Sequence, residues 1–320
     1  MKKLKRNCFL TMITIVLFSL LTGCNKEIEQ LDSKGEELNV LTSIYPMYDF
    51  AQKIAGNKAT IINMVPSGVE PHDWEPTAKD ITNLEKADLF IYNGAGMEHW
   101  VEDILKSTQN EDLVKLEASK NIKLTKGHSH DKEDENHSSA NEYNENSISD
   151  PHVWMDPKNA KQEMKDIKDT FVQVDPTNKE FYENNYAKYA KELDKLDKEY
   201  KEVLTPLSNK DIVVSHEAFG YLCEAYGLNQ VGIEGMSPDS EPDPARMSEI
   251  IKFVKKNKVK VIFFEELVSP KVAKTIADAT GAKTDVLNPI EGLSAKETSS
   301  DEDYFSVMRK NLESLKLALQ

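Results

Sequence analysis

Short runs of apolar and β-branched residues alternate with amphipathic stretches along most of this chain. Leu38–Ile44, Ala59–Val65 and Ala87–Tyr92 read as strands, and Tyr48–Ala55 and Thr77–Lys86 between them as helices. The alternation resumes with strand Asp211–Ser215, helix Ala218–Tyr226, strand Gln230–Gly232 and helix Pro244–Lys255. It ends with strand Val259–Phe264, helix Pro270–Thr280, strand Thr284–Leu287 and a last helix Asp301–Leu319. Strands separated by helices pair in parallel, because each helical crossover carries the chain back to the same end of the sheet. Two such runs predict an α/β protein of two lobes, each with a largely parallel sheet.

The connection between the runs is helical. Asp156-Pro157 opens a helix with a capping side chain followed by proline at the first helical position. After a break at Asp175-Pro176, Thr177 and Glu180 form a capping-box pattern. Tyr182, Tyr186, Tyr189, Leu193, Leu196, Tyr200 and Val203 then recur at spacings of four and three, and Pro206 closes the stretch. A helix of this length runs on the order of 35 Å at about 1.5 Å per residue, enough to traverse both lobes. Its narrow apolar stripe suits packing against its own chain better than a coiled-coil seam, so the expected state is a monomer.

The N-terminus changes the picture. Lys2, Lys3, Lys5 and Arg6 precede an apolar stretch from Cys8 to Leu21, and Leu21-Thr22-Gly23-Cys24 fits a bacterial lipobox. The apolar run is shorter than the roughly 20 residues a membrane-spanning helix needs. The reading is a cleaved signal over 1–23, lipidation at Cys24 and a tether over 24–37. The expected location is extracytoplasmic, on the outer face of the bacterial cell membrane, with two or more acyl chains to make the anchor stable. Formal net charge is −15, and loss of the four basic leader residues takes it to −19. That argues against nucleic acid as a partner. With Cys8 removed and Cys24 acylated, Cys223 stands alone, which excludes an internal disulfide; it reads as a small buried hydrophobe. The lobes are expected over 38–176 and 206–320, with a linker helix over 177–205.

The segment 127–149 is rich in His, Asp, Glu, Asn and Ser, and it has too little apolar surface to offset its ordering entropy. It reads as a mobile loop. His128, His130 and His137 lie there among acidic residues and make it a candidate accessory metal-collecting loop; a merely solvated acidic loop is the plainer alternative.

Candidate chemistry lies at four distant points: His72, His152, His216 and Glu291. Three imidazoles and one carboxylate are a zinc-like donor set. His72 follows the second strand, His216 ends a buried strand, Glu291 follows the last short strand, and His152 lies just before a helix. Ligands of open α/β sheets bind beyond the carboxyl ends of strands. Asp150 and Glu217, by adjacency, are candidates to orient the imidazoles. His99 is assigned a structural role early in a helix. Any single histidine of this kind has a plain hydrogen-bonded alternative, and spacing alone does not bring the four together.

The chain resembles the metal-binding solute-binding lipoproteins of bacterial ABC importers, the group that handles zinc and manganese, from about Leu38 to the C-terminus. The resemblance rests on Pro71-His72-Asp73-Trp74-Glu75-Pro76-Thr77, Asp150-Pro151-His152-Val153-Trp154-Met155-Asp156-Pro157, Ser215-His216-Glu217-Ala218-Phe219-Gly220-Tyr221 and Asn288-Pro289-Ile290-Glu291. It implies two similar lobes joined by one long rigid helix, with the metal in the cleft between them. His72 and His152 would be the ligands of the first lobe, His216 and Glu291 those of the second, and an ABC permease the partner. Manganese members put carboxylate where His216 stands and aspartate at the fourth position, so three nitrogens favour Zn²⁺. The expectation is a zinc receptor and no enzyme. A manganese receptor is the alternative within the family, and a secreted zinc hydrolase with Glu291 as its base is the alternative from another class.

Overall fold

The computed structural model describes residues 31, 37–126, 149–238 and 242–320. The leader with Cys24, and the loop histidines His128, His130 and His137, lie outside these residues. The first sheet contains β1 (Leu38–Thr42), β2 (Ala59–Asn63), β3 (Leu89–Tyr92) and β4 (Val114–Glu117), all parallel in the order β2-β1-β3-β4. The second contains β5 (Asp211–Val214), β6 (Asn229–Gly232), β7 (Val261–Phe264) and β8 (Lys283–Val286), again all parallel in the order β6-β5-β7-β8. In each sheet the first strand lies between the second and the third. Successive crossovers therefore leave β1 and β5 on opposite sides and open a crevice at their carboxyl ends. Strand β4, absent from the pattern read in the sequence, is a four-residue edge strand, Val-Lys-Leu-Glu, too short and too polar to stand out.

The helices of the first lobe are α1 (Tyr45–Ala55), α2 (Ala78–Lys86) and α3 (Val101–Ser107). Helix α4 (Pro157–Val174) starts as anticipated, with Asp156 Oδ1 accepting from Lys158 N at 2.9 Å. The long connection is α5 (Lys179–Leu204), and the second lobe adds α6 (Gly220–Tyr226), α7 (Pro244–Asn257), α8 (Lys271–Thr280), α9 (Ala295–Ser299) and α10 (Tyr304–Leu319).

Helix α5 has 26 residues, about 39 Å at the α-helical rise, and it bonds to both lobes. Asn185 Nδ2 donates to Ile54 O of α1 at 2.9 Å, and Tyr200 OH donates to Met308 O of α10 at 2.6 Å. Its stripe of Tyr182, Leu193, Leu196 and Tyr200 is buried on the chain itself. One continuous apolar cluster runs from Val40 and Phe50 through Trp154 and Tyr182 to Val214, Phe219 and Tyr304. The lobes thus share a core, and burying apolar surface between them favours one fixed relation. Separate clusters around Phe90 and Ile262 cover the outer faces of the two sheets.

Candidate metal centre

His216 lies just beyond β5, the strand at the switch point of the second sheet, and it is fully buried. Val213 is in register with Ile262 of β7, so His216 and Glu265, each three residues on, leave the sheet side by side. Glu265 Oε1 accepts from His216 Nδ1 at 2.7 Å and from His216 N at 3.3 Å. His152 follows an isolated antiparallel bridge between Lys126 and Ser149. Asp150 Oδ1 treats it in the same way, meeting Nδ1 at 2.8 Å and the backbone N at 2.9 Å. The second lobe holds Asp150 in turn, because Tyr221 OH donates to its carbonyl at 2.9 Å. Gly220 gives it room, since a Cβ there would collide with Asp150 Oδ2.

His72 sits in the loop between β2 and α2. Met64 N and Val65 N pair that loop with Thr42 and Ser43, and Trp74 packs edge-on against Trp100. Glu291 follows β8 on a segment tied to the first lobe: Tyr45 N donates to Glu291 O at 3.3 Å, and Trp154 Nε1 to Pro289 O at 2.7 Å.

The four side chains meet. Glu291 Oε1 lies 3.0 Å from His152 Nε2, 3.1 Å from His216 Nε2 and 3.7 Å from His72 Nε2. His216 Nε2 lies 3.4 Å from His152 Nε2, and one donor atom from each residue falls within 4.8 Å of all the others. A tetrahedron of donors about 2.05 Å from a central ion has edges of about 3.3 Å, which these separations straddle. Among the described residues, no hydrogen bond reaches the buried His72 Nε2, which leaves its lone pair or proton to the centre. With Nδ1 held by a carboxylate in each, His152 and His216 direct Nε2 inward, where an ion would bind in place of the Nε2 proton.

The electrostatics point the same way. Burial opposes charge on His216, but Glu265 and Glu291 outweigh it and hold its pKa well above 6.5. Burial likewise opposes charge on His152, which hydrogen bonds to Asp150 and Glu291 overcome, raising it above 6.5. Burial would raise Glu291, yet His216, His72 and His152 draw it well below 4.5. The centre therefore favours positive charge at its middle, and imidazole and carboxylate donors suit a borderline-soft divalent cation.

Three sequence expectations change. Glu217 does not orient His216. Its side chain lies against Gly232 and its backbone N bonds to Gly235 O, and Glu265 takes the orienting role instead. The signal for Glu265 was its place directly after β7, the neighbour of the strand that carries His216. His99 precedes α3 rather than lying in it, and it pairs at the surface with Glu75 at 2.9 Å. Thr177 and Glu180 form no capping box. Residues Pro176–Asn178 wind into a 3₁₀ turn, and Asp175 accepts from Asn178 Nδ2 and Tyr182 OH. Cys223 is buried as expected, and burial pushes its thiol pKa up.

A family model described as the periplasmic zinc-uptake complex component A, ZnuA, matches residues 40–318. The high-affinity zinc uptake system protein ZnuA of Bacillus subtilis is 43% identical over 304 residues, 94% of either chain. The zinc-binding lipoprotein AdcA of Streptococcus pneumoniae (strain R6) is 39% identical over 308 residues; these cover 95% of this chain and 60% of that protein. The crystal structure of the Zn(II)-bound ZnuA-like domain of Streptococcus pneumoniae AdcA superposes with a TM-score of 0.76 at 38% identity, covering 88% of this chain and 99% of that one.

Proposed function

The chain belongs to the zinc-uptake component A family, and from that premise we propose that it captures Zn²⁺ outside the cytoplasm and presents it to an ABC permease. His72, His152, His216 and Glu291 hold the ion. The observation that carries this reading is the approach of three imidazole Nε2 atoms to one carboxylate oxygen, at 3.0, 3.1 and 3.7 Å, in a buried centre formed by both lobes. Three nitrogens and one oxygen favour zinc over manganese. The protein is a transport receptor rather than an enzyme. A zinc hydrolase keeps a coordination position open for water with a base beside it, whereas Glu291 sits within the donor cluster as a fourth ligand.

The lipobox supports acylation of Cys24 and tethering at the outer face of the cell membrane, and the self-buried stripe of α5 supports a monomer. The histidines of segment 127–149 would serve as an accessory collecting loop. Competition of the purified chain with a chromogenic chelator is the test. One tight zinc per chain is expected, with His216→Ala weakening it on the order of a hundredfold or more through loss of a whole ligand. Undiminished affinity in that variant would remove His216 from the site.

A further inference from the structure

The segment that delivers Glu291 is strained. Ile290 has φ +63°, in the left-handed region that L-residues adopt at a cost and β-branched ones least of all. The strain falls one residue before a ligand, in a side chain with no exposed surface. Within the second lobe a clamp holds it. Ile290 N donates to Asn288 Oδ1 at 2.7 Å, Asn288 N to Asn311 Oδ1 at 2.9 Å, Asn311 Nδ2 to Asn288 O at 2.7 Å, and Asn288 Nδ2 to Glu297 Oε1 at 2.9 Å. From the first lobe come two braces, Trp154 Nε1 to Pro289 O at 2.7 Å and Tyr45 N to Glu291 O at 3.3 Å.

The ligands are not held alike. His152 and His216 are each pinned through Nδ1 by a carboxylate. Among the described residues, the ion pairs of the Glu291 carboxylate run from Oε1 to the three imidazoles, and no such orienting partner holds it from behind. Its position therefore depends on its backbone, and the backbone depends on the clamp and the braces.

We propose that residues 288–291 form a strained arm, with Asn288 and Asn311 as positioning residues for zinc and Glu291 as the ligand whose withdrawal frees the ion. This rests on the four-residue zinc site described above. The braces come from the opposite lobe, so any loosening between lobes removes them first. Ile290 then relaxes toward negative φ and carries the carboxylate away from the three nitrogens. Backbone strain that persists only because its surroundings impose it is a means of making such a change reversible.

Zinc dissociation into excess chelator, followed by stopped flow, tests the arm with a matched pair. Ile290→Ala and Ile290→Gly both lose the side chain beyond Cβ, glycine one methyl more, but only glycine takes positive φ without penalty. The glycine variant is expected to release zinc about fivefold more slowly than the alanine variant. Asn311→Ala is expected to release zinc about tenfold faster than the parent, a loss of the size that ligand-orienting residues show. With Co²⁺ in place of zinc, its visible spectrum should shift toward that of Glu291→Ala. Equal rates for the Ile290 pair, or a parental rate and spectrum for Asn311→Ala, would overturn the arm while leaving the zinc site intact. Parental zinc affinity in both His216→Ala and Glu291→Ala would instead remove the site, and the arm with it.

Discussion

At the scale of single residues, one carboxylate oxygen does two jobs at each buried histidine. Asp150 Oδ1 and Glu265 Oε1 each accept from the ring Nδ1 and from the backbone N of the same residue. Ring tautomer and ring position are thereby set together, which reduces the reorganisation needed when an ion arrives. Asp150 could be picked out because it lies two residues before His152. Glu265 is harder to find: its place directly after β7 is a signal only once β7 is known to lie beside β5, a pairing that brings it to His216 across 49 residues. Glu265→Gln keeps the shape and an acceptor but removes the charge. Zinc affinity is expected to fall about tenfold. Without the Glu265 charge, the His216 pKa in the zinc-free chain should also drop, since that charge is the foremost influence raising it. Chelator competition and histidine NMR titration measure the two effects; a parental value in both would show that Glu265 does no more than fill space.

At the scale of elements, helix α4 shows where periodicity informs and where it misleads. Its buried positions include Ala160, Met164, Ile167 and Phe171, an ordinary core-facing stripe, but Glu163 lies on the same stripe. Among the described residues, neither of its buried carboxylate oxygens has a hydrogen-bond partner. Burial, and then the neighbouring Asp166 and Glu98, push its pKa well above 4.5. The sign follows from linkage. A carboxyl whose folded pKa is raised leaves stability intact below about pH 4.5 and erodes it as pH climbs from there toward the raised value. Glu163→Gln, neutral at every pH, is expected to match the parent near pH 4 and to exceed it by several degrees in melting temperature near pH 8. Equal melting curves for the two chains at both pH values would contradict a protonated buried Glu163. A glutamate in a helix reads as solvent-facing from its type alone, so only packing reveals this one. Similarly, the capping box expected at Thr177 was displaced by a nearby competitor. Asp175 takes Asn178 Nδ2 at 2.7 Å and Tyr182 OH at 2.6 Å, and the intervening residues tighten into a 3₁₀ turn.

At the scale of the whole molecule, the two-lobe order was legible because alternating strand and helix patterns leave few topologies. The convergence of His72, His152, His216 and Glu291 was not, because spacing along a chain carries no information on approach across a shared core; resemblance to known receptors supplied that step. What holds the lobes in relation is partly electrostatic. Lys53 of α1 bonds to Asp49 at 2.7 Å and to Asp303, the N-cap of α10 in the other lobe, at 2.9 Å. The lysine is largely buried, at 11% side-chain exposure. Beside it, Tyr45 OH donates to Glu302 O at 3.3 Å, and the backbone N of the same Tyr45 reaches Glu291. Breaking a buried pair by removing one partner typically costs about 3–5 kcal/mol, because the other charge is left uncompensated. Asp303 is 37% exposed, so solvent screening brings the cost here below that range. A double-mutant cycle separates the cross-lobe bond from the bond inside α1. Lys53→Met and Asp303→Asn, alone and together, should show a coupling of roughly 1–2 kcal/mol in denaturant unfolding. The asparagine retains a side-chain oxygen to cap Ser306 N, so loss of the cap does not mimic loss of the bridge. Additive effects within about 0.5 kcal/mol would mean that the Lys53–Asp303 bond adds nothing to the other contacts between the lobes and that Lys53 serves only its own helix.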